Sequence, residues 1–171
     1  RANHKFMIYI LLGYMGSGKS TLGKALAEEQ KSCFYDLDVM VEEALGMSIS
    51  TFIEAKGELA FRKKEHEVLE QWIENRPDRA VIALGGGTPV FYNHMDSLNE
   101  VGETVYLEVS VMELAARLED TSDRPLLQNA DDRAEFVAKH LFERREFYLK
   151  AKHRLKGDAL GIDDLKNLLS I

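Results

Sequence analysis

Short apolar runs alternate along the chain with longer stretches whose apolar positions recur every three or four residues. That alternation predicts a parallel sheet flanked by helices. Phe6–Leu12 reads as a fully buried strand. A glycine-rich turn follows, then a helix over Lys19–Gln30 with Leu22, Ala25, Leu26 and Glu29 at helical spacing. Ser32–Tyr35 reads as a second strand, running into Asp36-Leu37-Asp38. Val39–Leu45 is helical and stops at Gly46, and Ser48 or Ser50 suits the cap of the next helix, which holds Phe52 and Ile53. A long helix is predicted over Glu58–Ile73, facing inward with Leu59, Phe61, Val68, Leu69 and Trp72.

Ala80–Leu84 is an unalternating apolar run, hence a central strand, and it ends at Gly85-Gly86-Gly87. Thr104–Val109 is a fourth strand, and Ser110 caps a helix through Leu118. Glu119–Asp132 is polar and aperiodic and reads as a mobile loop. Ala134–Lys152 and Ile162–Leu169 are helical. A fifth strand is expected in Lys152–Gly161, yet no clear apolar run exists there. Either it is short or residues are absent from the string.

At 171 residues the chain suits a single domain with a core of its own. Hydrophobic residues make up 45% and charged residues 30%, and no apolar run is long enough for a membrane span. The net charge of −7 argues against nucleic-acid or anionic-membrane partners, which want a basic surface. Cys33 is the single cysteine, so no internal disulfide forms and a reducing, cytoplasmic setting is expected. Nothing marks an obligate interface, so the expectation is a monomer. The string opens on Arg1, which suggests a trimmed start.

Gly13-Tyr14-Met15-Gly16-Ser17-Gly18-Lys19-Ser20 fits G-x-x-x-x-G-K-[ST] between a strand and a helix. A chance match in a chain this long is roughly one in a few hundred. Glycines let successive N–H groups converge on one point, and the following helix adds its positive end. Gly16, Ser17, Gly18, Lys19, Ser20 and Thr21 are thus the candidate ATP-phosphate site, with Lys19 reaching the β- and γ-phosphates and Ser20 a Mg²⁺ ligand. No Asn-Lys-x-Asp guanine motif is present, and Asp158-Ala159-Leu160-Gly161 matches D-x-x-G only by chance. Asp36 and Asp38, two apart at a strand end, share one face of an extended chain, where one acid could serve Mg²⁺ and the other a hydroxyl nucleophile. The alternative is a solvated turn or a helix cap, the latter suiting Asp38. Three glycines after a strand allow either a sharp turn or close approach of a ligand.

These segments together resemble shikimate kinase: GYMGSGKST at 13–21, DLD at 36–38, GELAFRKKE at 57–65, LGGGTP at 84–89, RPLL at 124–127, and Arg144 with Tyr148. The resemblance spans roughly Ile8 to Tyr148. It implies a three-layer α/β/α P-loop kinase fold, with a five-stranded parallel sheet in the order 2-3-1-4-5, as in nucleoside monophosphate kinases. It implies a substrate-binding helical segment over about 38–66 and a lid over about 119–132. The implied activity is transfer of the γ-phosphoryl group of ATP to the 3-hydroxyl of shikimate, with Mg²⁺. Asp38 then corresponds to the catalytic base at the shikimate hydroxyls, Arg62 and Arg144 to the carboxylate grip, and Gly86 to a glycine whose N–H completes that grip. Gly85, Gly87 and Phe61 line the pocket. Arg124 corresponds to the lid arginine, Arg117 to a residue against adenine, and Asp36 and Ser20 to the Mg²⁺ positions. From composition alone, Arg62 in its charged run and Arg144 beside Arg145 read as solvated surface. Other readings are a gluconate-kinase-like enzyme on the same fold and a nucleotide-binding module without catalysis.

Overall fold

The protein is described from a computed structural model over residues 7–118 and 130–171. Five parallel strands form one sheet in the order β2-β3-β1-β4-β5. They are β1 (Met7–Leu12), β2 (Cys33–Asp36), β3 (Arg79–Ala83), β4 (Glu103–Glu108) and β5 (His153–Lys156). The central strands are apolar on both faces because both faces are covered. Ile8, Ile10 and Leu12 face one side, against α2 (Leu37–Leu45), α4 (Glu58–Asn75), α5 (His94–Val101) and Tyr148 of α7 (Ala130–Tyr148). Tyr9 and Leu11 face the other, against α1 (Lys19–Glu29) and α8 (Ile162–Leu169). A third cluster joins Tyr14 and Val109 to α6 (Val111–Leu118) and Val137 of α7. Burying each of Ile10, Leu11 and Leu12, all without exposure, contributes about 1.5–3 kcal/mol. This rigid centre holds the strand ends from which the site is built.

Helix α3 (Ile49–Lys56) is capped by Ser48, whose hydroxyl accepts from the Thr51 amide at 3.2 Å. Ser110 does the same for α6 through the Glu113 amide. Two expectations change, and the fifth strand is settled between its two readings. Leu59 is 81% exposed, because the buried stripe of α4 is Phe61, Arg62, Glu65, Leu69 and Trp72, and Leu59 lies two residues out of that phase. Asp38 is not on an extended chain. It lies in the first turn of α2, which Asp36 caps by accepting from the Asp38 and Val39 amides. The fifth strand exists and is short. His153–Lys156 pairs with β4 alone, so as a sheet edge it alternates and needs no apolar run.

The stretch after the three glycines carries no element in the sequence pattern. It forms a 3₁₀ turn over Thr88–Val90 and then α5. Of the predicted loop over 119–132, residues 130–132 open α7, and 119–129 lie outside the described residues, Arg124 among them. Among the described residues, no helix is long and apolar enough to cross a membrane.

Candidate active site

The carboxyl ends of β1, β2 and β3 open into one cleft of about 490 Å³, lined by Gly16, Gly18, Lys19, Ser20, Thr21, Asp36, Asp38, Gly86 and Arg117 among others. Helix α1 starts there without a side-chain cap or an acidic residue in its first turn. Its first amides therefore have no partner within the helix and present partial positive charge to the cleft. Gly16 and Gly18 turn the chain into that helix at φ 81° and 97°, a region where a side chain would be strained. Ser17 closes the loop from within. Its amide donates to Tyr14 O at 3.1 Å, and its hydroxyl is buried without a protein partner. The Lys19 ammonium is held by two loop carbonyls, Gly13 O at 2.8 Å and Tyr14 O at 3.0 Å. Burial draws its pKa down to about 8, against the opposing pull of Asp38.

Ser20 Oγ donates to Asp36 Oδ2 at 2.7 Å, so the sequence-predicted Mg²⁺ pair meets at the cleft. Among the described residues no cluster of three or more His, Cys, Asp or Glu could hold a metal by itself. One hydroxyl and one carboxylate suit Mg²⁺, which is commonly held by one or two protein oxygens plus phosphates and water. Arg117 is not a loose surface charge. It donates to Gly16 O at 2.7 Å, to Asp158 O at 2.9 Å and to Glu113 at 3.0 Å, tying the phosphate loop to the turn after β5. Asp158 in turn accepts from the Ser110 amide and hydroxyl.

Opposite the loop, each of the three glycines after β3 lies against a charged side chain, Gly85 against Glu65 as well as Asp38. A Cβ on Gly85 would sit 2.7 Å from Asp38 Oδ1, one on Gly86 3.1 Å from Arg144 Nη1, and one on Gly87 2.8 Å from Arg62 Cζ. None of the three has a positive φ. Glycine is required here for space, so that helices α2, α4 and α7 can each bring a charge to the strand end.

Arg62 is 8% exposed and Glu65 fully buried, contrary to the solvated-surface alternative. Arg62 Nη1 donates to Glu65 Oε1 at 3.0 Å, and the guanidinium lies over the rings of Phe61 (4.8 Å) and Phe91 (4.6 Å). Its Nε is buried without a partner, and its Nη2 lies 3.5 Å from Glu58 Oε1. Phe61 itself packs in the core and floors the arginine. Arg144 is half-buried, over the Tyr14 ring at 5.7 Å and hydrogen-bonded to the Tyr148 hydroxyl, which donates to Gly86 O. Desolvation, with Glu65 and Asp36 nearby, raises the Asp38 pKa to about 6 against the pull of Lys19 and Arg62. Phe91 under Arg62 and Thr88 on Glu65 support this half of the site without a local motif. The helical phase of α4 alone, which puts Glu65 four residues from both Phe61 and Leu69, could have flagged the buried pair.

A helix N-terminus bared for phosphates, with a lysine and an acid across from two arginines, defines a P-loop phosphotransferase acting on a small anionic acceptor. A sequence model of shikimate kinase matches residues 15–164. The shikimate kinase of Flavobacterium psychrophilum is 43% identical over 150 residues, covering 85% of this chain and 87% of that protein. The crystal structure of shikimate kinase from Bacteroides thetaiotaomicron superposes with a TM-score of 0.88 at 34% identity, over 96% of this chain and 99% of the other. Shikimate kinase from Acinetobacter baumannii, solved in complex with shikimate, gives 0.84 at 29% identity, over 99% and 96%. The chain belongs to the shikimate kinase family.

Proposed function

We propose that the protein transfers the γ-phosphoryl group of ATP to the 3-hydroxyl of shikimate, giving shikimate 3-phosphate and ADP. The observation that carries this reading is the placement of Asp38, Arg144 and Arg62 against three consecutive glycines, across from the uncapped α1. Two guanidinium groups hold a ring carboxylate in planar, directional hydrogen bonds. They leave the ring hydroxyls beside Asp38. The hydroxyl oxygen attacks the γ-phosphorus, the bond to the β–γ bridging oxygen breaks, and the hydroxyl proton passes to Asp38. A carboxyl with pKa about 6 is ionised at neutral pH, yet basic enough to accept that proton.

The α1 amides and Lys19 hold the β- and γ-phosphates, whose charge keeps the lysine protonated against its burial. Ser20 and Asp36 would hold Mg²⁺. When bound, the ion neutralises charge on the phosphates during transfer. Arg117, between Gly16 and Asp158, borders the adenine. The lid role of Arg124 and of residues 119–132 rests on the RPLL run at 124–127. A single domain whose helical segment 38–66 supplies Asp38, Phe61 and Arg62 to the acceptor fits this reading, as do a monomer and a cytoplasmic setting. Gluconate carries a carboxylate too, so the family match is what favours shikimate over it. Coupled ADP release tests it, with shikimate expected to support turnover and gluconate not. Folded protein that releases no ADP on adding shikimate overturns it.

A further inference from the structure

A chain of hydrogen bonds runs from Arg62 away from the cleft. The second oxygen of Glu65 accepts from Thr88 Oγ1 at 2.9 Å. The Thr88 carbonyl lies 2.8 Å from Nδ1 of His94, and Nε2 of His94 lies 2.9 Å from Nδ1 of His66. Glu65 and Thr88 are fully buried and His94 is 2% exposed. A carbonyl only accepts, so His94 Nδ1 carries the proton. Burial lowers the pKa of His94 and keeps the ring neutral. Its Nε2 is then an acceptor, and His66 Nδ1 must donate. Every tautomer in the chain is thereby assigned.

The backbone is bent to build this arrangement. Tyr92 and Asn93 both take left-handed φ, 55° and 53°, a costly conformation for a residue as bulky as tyrosine. The bend stacks Tyr92 on His66, with ring centres 4.2 Å apart and planes 7° from parallel, and delivers His94 under Thr88 at the start of α5.

We propose that His94 is a positioning residue for the acceptor carboxylate: it fixes Thr88, whose hydroxyl fixes Glu65, whose carboxylate aims Arg62. The proposal rests on the reading of Arg62 as a carboxylate grip. Asparagine at 94 can reproduce the Nδ1 donor toward Thr88, whereas glutamine reproduces only the Nε2 position. Phenylalanine keeps the ring and neither contact. Shikimate KM and kcat are measured for His94→Asn, His94→Gln, His94→Phe and His66→Phe, with melting temperatures alongside.

His94→Gln and His94→Phe are expected to raise the shikimate KM about 5- to 20-fold, with ATP KM and saturated kcat within about 2-fold of the parent. His94→Asn is expected to stay within about 3-fold of the parent KM. His66→Phe, which keeps the stack on Tyr92, is expected to give a smaller rise. Should His94→Phe fail to fold, the contrast between Asn and Gln carries the test. Equal KM for Asn and Gln, or a fall in kcat that merely follows lower stability, overturns the proposal. Absence of shikimate turnover in the parent protein would instead overturn the function itself, so the two failures are distinguishable.

Discussion

On the nucleotide side of the cleft, Gly16–Thr21 offers mainly main chain: a bare helix end, with one lysine folded back onto two loop carbonyls. On the proposed acceptor side the holding groups are mainly side chains, joined by the Gly86 amide. Asp38, Arg62 and Arg144 come from three helices and meet only because Gly85–Gly87 have no side chains to keep them apart. A main-chain site tolerates change in most of its side chains. A side-chain site fails at each of its members, and differently at each.

The largest break in that comparison is expected from Asp38→Asn. Removing the base should lower kcat about 10²- to 10⁴-fold, while ATP binding, measured by calorimetry, stays near that of the parent. Full turnover in the variant would remove Asp38 from the chemistry. Next come the arginines. Arg144→Lys, at a half-buried position, is expected to raise the shikimate KM about 10- to 100-fold through loss of the directional fork, leaving the ATP KM alone. Arg62→Lys should do the same and also lower the melting temperature, because Glu65 is buried and depends on it. Equal effects of either variant on both substrates would erase the division between the two sides.

The pH profile sharpens the division further. With Asp38 near 6 in the free protein, kcat/KM for shikimate should fall tenfold per pH unit below about 6 and level off above it. A flat profile between pH 5 and 8 contradicts a base at this position. The smallest expected effect is on stability. The folded pKa of Asp38 lies above its ordinary 3.8, so ionisation weakens the fold, fully above pH 6 and progressively less as pH falls from 6 toward 4. Asp38→Asn should therefore stabilise the inactive protein by about 1–2 kcal/mol at pH 8, discounted for partial solvent screening, and by less at pH 5, read from urea midpoints.

The two sides also differed in how far the sequence disclosed them. The phosphate loop is one contiguous string whose chemistry is local, and its flanking strand and helix were plain from periodicity. The sheet order followed from the resemblance, not from the pattern, and β5 was obscured because an edge strand of four residues has little to bury. The acceptor side is dispersed. Arg62 sits among Lys63, Lys64 and Glu65, and only its helical phase distinguishes it from a solvated charge. The pattern puts Asp36 and Asp38 on an extended chain, but the cap formed by Asp36 starts the helix between them and separates their roles. Thr88, Phe91 and His94 flank a turn whose two left-handed residues, Tyr92 and Asn93, are not glycine, so no local signal announces it.

The central claim is geometric, and a crystal structure with shikimate and ADP tests it most directly. The account predicts the ring carboxylate between Arg62 and Arg144, and a ring hydroxyl within about 3.2 Å of Asp38 facing the end of the nucleotide. A carboxylate bound elsewhere, with Asp38 left facing no hydroxyl, would contradict it.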